Sequence, residues 1–141
     1  MTRHHGPWRR LVNTAASEGG SIHDDRQARQ LGFRGALVPG SVVASAAMPL
    51  ILERYGAPWM QGGWFTFTFM SPVYDAEEVQ ARAEDAGPRL DLQIASREGR
   101  VCCMGEAGLG SAAPWMENEP EWQDVFPDLE RGFAFPSVTS L

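Results

Sequence analysis

Lysine is missing from this 141-residue chain, whose twelve basic residues are all arginine. An absence that runs the whole length is a bias of composition, not a property of one site. Cysteine is scarce as well. Cys102 and Cys103 are adjacent, so they cannot readily pair with one another, and no C-x-x-C spacing offers a metal site. No uninterrupted apolar run reaches the roughly 18 residues of a membrane-crossing helix. The opening MTRHHGPWRR is polar and lacks the apolar stretch of a secretory leader. A net charge of −6 gives no footprint for nucleic acid. These absences predict a soluble, reduced, cytoplasmic protein.

What is present is ordinary for a globular chain: 43% apolar and 21% charged residues. At this length one domain is expected, burying about 68–70% of its unfolded surface without staples. The charge is uneven. Residues 111–141 carry six acids, from Glu117 to Glu130, against one base, Arg131. Pro114, Pro120, Pro127 and Pro136 punctuate the same stretch, between Trp115, Trp122, Phe126, Phe133 and Phe135. Prolines at that density deny regular structure, and the aromatics argue against a free tail. The reading is a main domain over 1–110 and an irregular, acidic, Pro/Trp-rich extension over 111–141.

Residues 8–16 read as a short strand or an extended lead-in, with His4 and His5 in a disordered terminus. Gly19, Gly20 and Ser21 make a loop. Asp24 or Asp25 can cap a short helix to about Leu31, with Asp25 and Arg29 spaced as an i,i+4 pair and Gly32 as its stop. SVVASAAMPLILERY, residues 41–55, is apolar nearly all round and predicts a buried helix kinked at Pro49. The period then changes from helix to strand. Phenylalanines alternate over residues 64–70. Val79, Ala81 and Ala83, and then Leu90, Leu92 and Ile94, share faces, and Gly87-Pro88 and Glu98-Gly99 turn the chain. About four antiparallel strands in a meander, wrapped around one long central helix, make an α+β fold.

His23 is the one histidine outside the first five residues, and Glu18 precedes it by five. Around it runs E18-G-G-S-I-H23-D-D25-R-Q-A28-R-Q-L-G32-F33, then L37-V38-P39-G40-S41, and later FMSPVYDAEEVQARAE over 69–84. This resembles the MaoC-like hotdog proteins, acyl-thioester hydratases and dehydratases. Their pattern runs roughly D-x-N-P-[IL]-H-x-D-x-x-x-A-x-x-x-G-F, then I-V-H-G-M and F-x-x-P-V-x-x-G-D-x-V. The match covers about residues 10–110.

The resemblance implies a single hotdog domain acting as a lyase on a 2-enoyl or 3-hydroxyacyl thioester. It implies that Glu18 and His23 hold the water that adds to or leaves the β-carbon. It also implies that the amide of Gly40, at the start of the central helix, polarises the thioester carbonyl. Ser41 and Ser45 follow as substrate-binding candidates, although Ser45 reads better as a small packing residue. Such proteins usually dimerise edge to edge, so a homodimer is expected. No metal or redox cofactor is called for; coenzyme A or an acyl-carrier protein would arrive with the substrate. Elementary chemistry agrees. A carboxylate–imidazole pair can serve as base and acid, each contributing on the order of 10²–10⁴-fold. A helix N-terminus offers unpaired amides to an enolate oxygen.

Three positions depart from the pattern. Glu18 replaces aspartate, Gly20 replaces asparagine, and Pro39, which has no N–H, replaces histidine. They support a rival reading, a non-catalytic hotdog subunit that binds an acyl ligand or a partner hotdog. A third reading is a hotdog thioesterase. Asp25 reads as a helix cap and not an acid. Arg26, Arg29 and Arg34 read as a solvated surface or as contacts for a carrier's phosphates.

Overall fold

Apolar side chains at every second position organise the sheet. The computed structural model describes residues 2–17 and 19–110. Glu18 and the extension expected over 111–141 lie outside the described residues. Strands β3 (Glu78–Ala86), β4 (Arg89–Ser96) and β5 (Val101–Leu109) follow one another as antiparallel neighbours. Val79, Ala81 and Ala83 of β3, Leu90, Leu92 and Ile94 of β4, and Cys103 and Ala107 of β5 are buried together. Residues Ala81, Ile94 and Cys103 stand side by side across the three strands. This is the face that packs against the helices.

Strand β2 (Gly63–Phe69) does not continue the meander. With β1 (Arg3–Arg10) at the far side, the sheet order is β1-β3-β4-β5-β2, so β2 pairs antiparallel with β5 at one edge. Two glycines of β5 explain the choice of neighbour. A side chain at Gly108 would come 2.4 Å from the Trp64 ring, and one at Gly105 would strike the Thr66 carbonyl and the Phe67 ring. β5 therefore leaves room for the aromatics of β2 to fold across it.

The other edge is β1 (Arg3–Arg10), paired with β3. It begins well before the segment expected to be extended, and His4 and His5 belong to it. Both pair in register with β3, His4 with Ala83 and His5 with Arg82. His4 Nε2 lies 3.2 Å from Asp85, and the Arg97 guanidinium stacks 4.0 Å from the Trp8 ring centroid. Pro7 falls where the register shifts between His5 and Trp8, on an edge strand that tolerates a missing N–H.

The apolar segment after Pro39 keeps its central place, but it is two helices and not one kinked helix. Helix α2 spans Gly40–Ser45 and α3 spans Met48–Tyr55, with Ala46 and Ala47 as a turn between them. Pro49 explains the break. In a continuous helix its ring would clash with the carbonyl of Ser45. Here it sits in the first turn of α3, where no N–H is needed. Ala46 and Ala47 tighten the junction by bonding to the carbonyls three residues back, Val43 and Ala44. Val43, Ala46, Ala47, Leu50 and Ile51 join the buried face of the sheet in one core. Burying a side chain such as Ile51 contributes roughly 1.5–3 kcal/mol. A short helix, α4 (Trp59–Gly62), leads into β2. Among the described residues no helix is long and apolar enough to cross a membrane.

Candidate functional site

Helix α1 (Asp25–Gln30) follows His23 directly, and its two ends shape the site. Asp24 caps the N-terminus, its carboxylate accepting the Gln27 N–H at 3.2 Å. Asp25 accepts instead from Arg29 at 2.8 Å and from the Ala36 N–H at 3.2 Å. The Arg29 guanidinium, followed by the Ala36 amide, holds the Asp25 carboxyl below its usual range. At the other end Gly32 takes φ 92°, and the amides of Gly32 and Phe33 bond back to Arg29 and Ala28. That pair of bonds is a Schellman stop. It turns Phe33 into the wall of a cavity.

The cavity has a volume of about 340 Å³. Ile22, Phe33, Leu37 and Val38 line it together with Phe69, Met70 and Val73, and Gly40 and Val43 of α2 belong to the same lining. Among the described residues His23 is the one titratable side chain in this lining, and Ser71 the one hydroxyl. The imidazole Nδ1 lies 2.9 Å from the Leu37 carbonyl. A carbonyl oxygen only accepts, so Nδ1 carries the proton, and in the neutral ring Nε2 is left as an acceptor. The Leu37 amide in turn donates to the Ile22 carbonyl at 2.9 Å. The histidine loop and the 33–38 loop therefore hold each other.

His23 and Gly40 thus share one cavity. Gly40 opens α2 after Pro39, which has φ −56° and ψ 142°. Its amide belongs to the first turn, which no preceding turn can satisfy. Ser41 and Ser45 are exposed on α2 and do not line this cavity; the Ser45 hydroxyl donates to the Val42 carbonyl. Arg34 stacks 4.2 Å from the Tyr74 ring centroid, and with Arg29 it lines a separate, polar hollow. Among the described residues no group of three or more His, Cys, Asp and Glu side chains is placed to share a metal ion.

Two parts of the site were not read from the sequence. Asn13 falls in a segment that looked like strand, yet it is buried at 7% exposure and bonds to the His23 carbonyl. The one available signal was that asparagine favours turns over strands. Arg100 reaches from the β4–β5 turn to the wall of the cavity. It donates to the Ser71 hydroxyl at 2.9 Å and the Pro72 carbonyl at 2.7 Å, and it pairs with Glu77. Nothing in the local pattern marks that contact.

No protein-family model and no curated protein matches the sequence. Solved structures do match in fold. An (R)-hydratase from A. caviae involved in PHA biosynthesis aligns with TM-score 0.57 at 20% identity, over 77% of this chain and 95% of that one. The C-terminally truncated HadBC (3R-hydroxyacyl-ACP dehydratase) complex from Mycobacterium tuberculosis aligns with TM-score 0.59 at 17% identity, over 77% and 94%. A MaoC-like dehydratase from Rhodospirillum rubrum aligns with TM-score 0.55 at 18% identity, over 79% and 93%. The chain has the fold of these proteins. It is a single hotdog of the α+β class, its antiparallel sheet wrapped around central helices.

Proposed function

We propose that this protein hydrates or dehydrates a 2-enoyl/3-hydroxyacyl thioester, as a lyase. The observation that carries the reading is His23, the one titratable group among the described residues that line an apolar cavity, with Nδ1 bonded to Leu37 and Nε2 left to accept. In this reading Glu18 orients a water, Nε2 takes its proton as the oxygen bonds to the β-carbon, and the carboxylate–imidazole pair then returns that proton to the α-carbon as the enolate collapses, leaving His23 neutral again. The amide of Gly40 receives the thioester oxygen as it gains enolate charge; one such donor is worth about 3–4 kcal/mol in other enzymes. Pro39 has no N–H, so Gly40 offers the first amide of α2. The apolar walls suit an acyl chain. The fold's resemblance to (R)-hydratases and a 3R-hydroxyacyl-ACP dehydratase supports the reaction class.

The chemistry calls for no metal or redox group, and coenzyme A or an acyl-carrier protein would come with the substrate. A homodimer joined through β2 is part of the reading. β2 is an edge strand, and Phe65, Phe69, Met70, Met104 and Leu109 on and beside it are exposed. Ser41 and Ser45, exposed on α2, would then touch substrate only where it crosses that face. The free thiols of Cys102 and Cys103 suit the reducing cytoplasm.

The test is loss of enoyl-thioester absorbance on a panel of 2-enoyl-CoA substrates, wild type against His23→Ala, with a thiol trap present. Turnover that needs His23 and releases no thiol is expected. Thiol release that needs His23 would replace hydration with thioester hydrolysis. A folded protein inactive alone but active with a second hotdog subunit would favour the binding-subunit reading, which the departures at Glu18, Gly20 and Pro39 support.

A further inference from the structure

His23 lies on a loop, and a loop holds a reacting group less firmly than a strand or helix does. Among the described residues three contacts restrain it. Its ring bonds to Leu37, its N–H donates to the Ser21 hydroxyl at 3.2 Å, and its carbonyl accepts from Asn13 Nδ2 at 2.9 Å. The first comes from the neighbouring 33–38 loop, and the second from Ser21, two residues back in the same loop. The third comes from the residue that leaves the sheet.

Asn13 is tied to that sheet on its own side. Its N–H donates to Asp75 Oδ1 at 2.8 Å. Two backbone bonds flank this contact, Leu11 N–H to the Glu77 carbonyl at 3.1 Å and Ala76 N–H to the Leu11 carbonyl at 2.7 Å. Its Oδ1 accepts the Ala15 N–H at 3.1 Å. One buried amide therefore grips both ends of the loop 15–23, from a segment sewn to the turn at 74–77. Together with Ser96 it is one of two buried polar side chains among the described residues.

We infer that Asn13 is a positioning residue for His23. Its amide donor sets the height of the imidazole over the cavity, and Asp75 holds Asn13 in place to do so. The catalytic consequence rests on the hydration reading; the positioning itself does not. An amide is needed because the two ends of the loop require opposite partners, an acceptor for Ala15 and a donor for His23. Aspartate has the same shape and keeps the acceptor, but it faces the His23 carbonyl with an oxygen.

Asn13→Asp and Asn13→Ala test this, with Tyr55→Phe as a control. The control removes hydroxyl bonds to the Pro88 and Ala107 carbonyls, away from the cavity. Two quantities are read: the His23 tautomer by ¹⁵N NMR, well below each variant's melting temperature, and kcat against KM for enoyl-thioester hydration. In wild type and Tyr55→Phe, His23 is expected as the Nδ1-protonated tautomer. In both Asn13 variants the ring should leave Leu37 and average between tautomers. kcat should fall about 10- to 100-fold with KM nearly unchanged, the scale of a misplacement near 1 Å. A folded Asn13→Asp with the wild-type tautomer and kcat would overturn the inference. If wild type turns over no thioester, the tautomer decides alone: averaging upholds the positioning role while hydration falls, and an unchanged tautomer removes it.

Discussion

The Phe69 ring rests against Gly40 so closely that a methyl group there would come 2.8 Å from its Cζ. One residue ends β2 and the other begins α2, so the edge of the sheet and the start of the helix meet at the cavity. Gly40 lacks a side chain where this ring needs the room, and in the proposed reaction the same gap would leave its amide open to the thioester oxygen.

Substitution separates the two. Gly40→Ala should push the half-exposed Phe69 ring aside at a cost near the low end of overpacking, about 1 kcal/mol. Adding Phe69→Leu should restore the melting temperature by removing the clash. Hydration should stay depressed by at least about 10-fold in the double variant relative to Phe69→Leu alone, because the methyl still crowds the carbonyl's approach. Recovery of the rate along with stability would reduce Gly40 to a packing role.

Arg100 predicts a different split. Its guanidinium holds Ser71, Pro72 and Glu77 at once, fixing one wall of the cavity. Arg100→Met should leave these acceptors without their donor and cost about 1–3 kcal/mol in denaturant unfolding. KM should rise several-fold while kcat moves less, since no reacting group is displaced. Arg100→Lys should fall between, because an ammonium lacks the planar fork that serves several acceptors. A KM unchanged in Arg100→Met would mean the wall stands without it.

Much of the fold is legible in the sequence alone. Period-two alternation from Val79 to Ile94 marks β3 and β4 because each has one buried face, and Gly87-Pro88 joins them locally. Gly32 marks the end of α1 because only a residue tolerant of positive φ stops a helix that way. The pairing of β2 with β5 was not legible, since it depends on glycines forty residues downstream of the rings they accommodate. Nor was the break at Ala46–Ala47. A proline inside an apolar run signals a defect but not whether the helix bends or restarts. His23 stands out by its surroundings in the chain, whereas its contact with Asn13, ten positions earlier, forms only once the segment between them has folded back.

The adjacent cysteines give a pH dependence. Both are fully buried, and burial, followed by the charge of Cys102, pushes the Cys103 thiol from 9.0 up to about 11. The folded state thus keeps its proton where the unfolded chain loses it. The stability this contributes is fully present below pH 9.0 and is lost as pH rises toward about 11. Chemical denaturation across that window should show a falling unfolding free energy, with a shallower slope in Cys103→Ala. Native protein should also resist iodoacetamide at pH 8, and rapid alkylation there would contradict the burial.

Ala76 is the one described non-glycine residue with positive φ, at 63°. It is exposed, so its methyl packs against little, yet its N–H is committed to the Leu11 carbonyl and its carbonyl to Arg10. Those bonds force the left-handed turn, which costs an L-residue roughly 1–2 kcal/mol and glycine almost nothing. Glycine returns part of that gain through its freer unfolded chain, about 0.4–1 kcal/mol. Ala76→Gly should therefore stabilise the protein by about 0.5–1 kcal/mol, raising its melting temperature by roughly 2–4 °C. Differential scanning calorimetry checks this directly. A melting temperature that stays put or falls would mean that the turn at 74–77 relaxes around the alanine, and that the bonds from Leu11 and Arg10 do not hold it in the left-handed region.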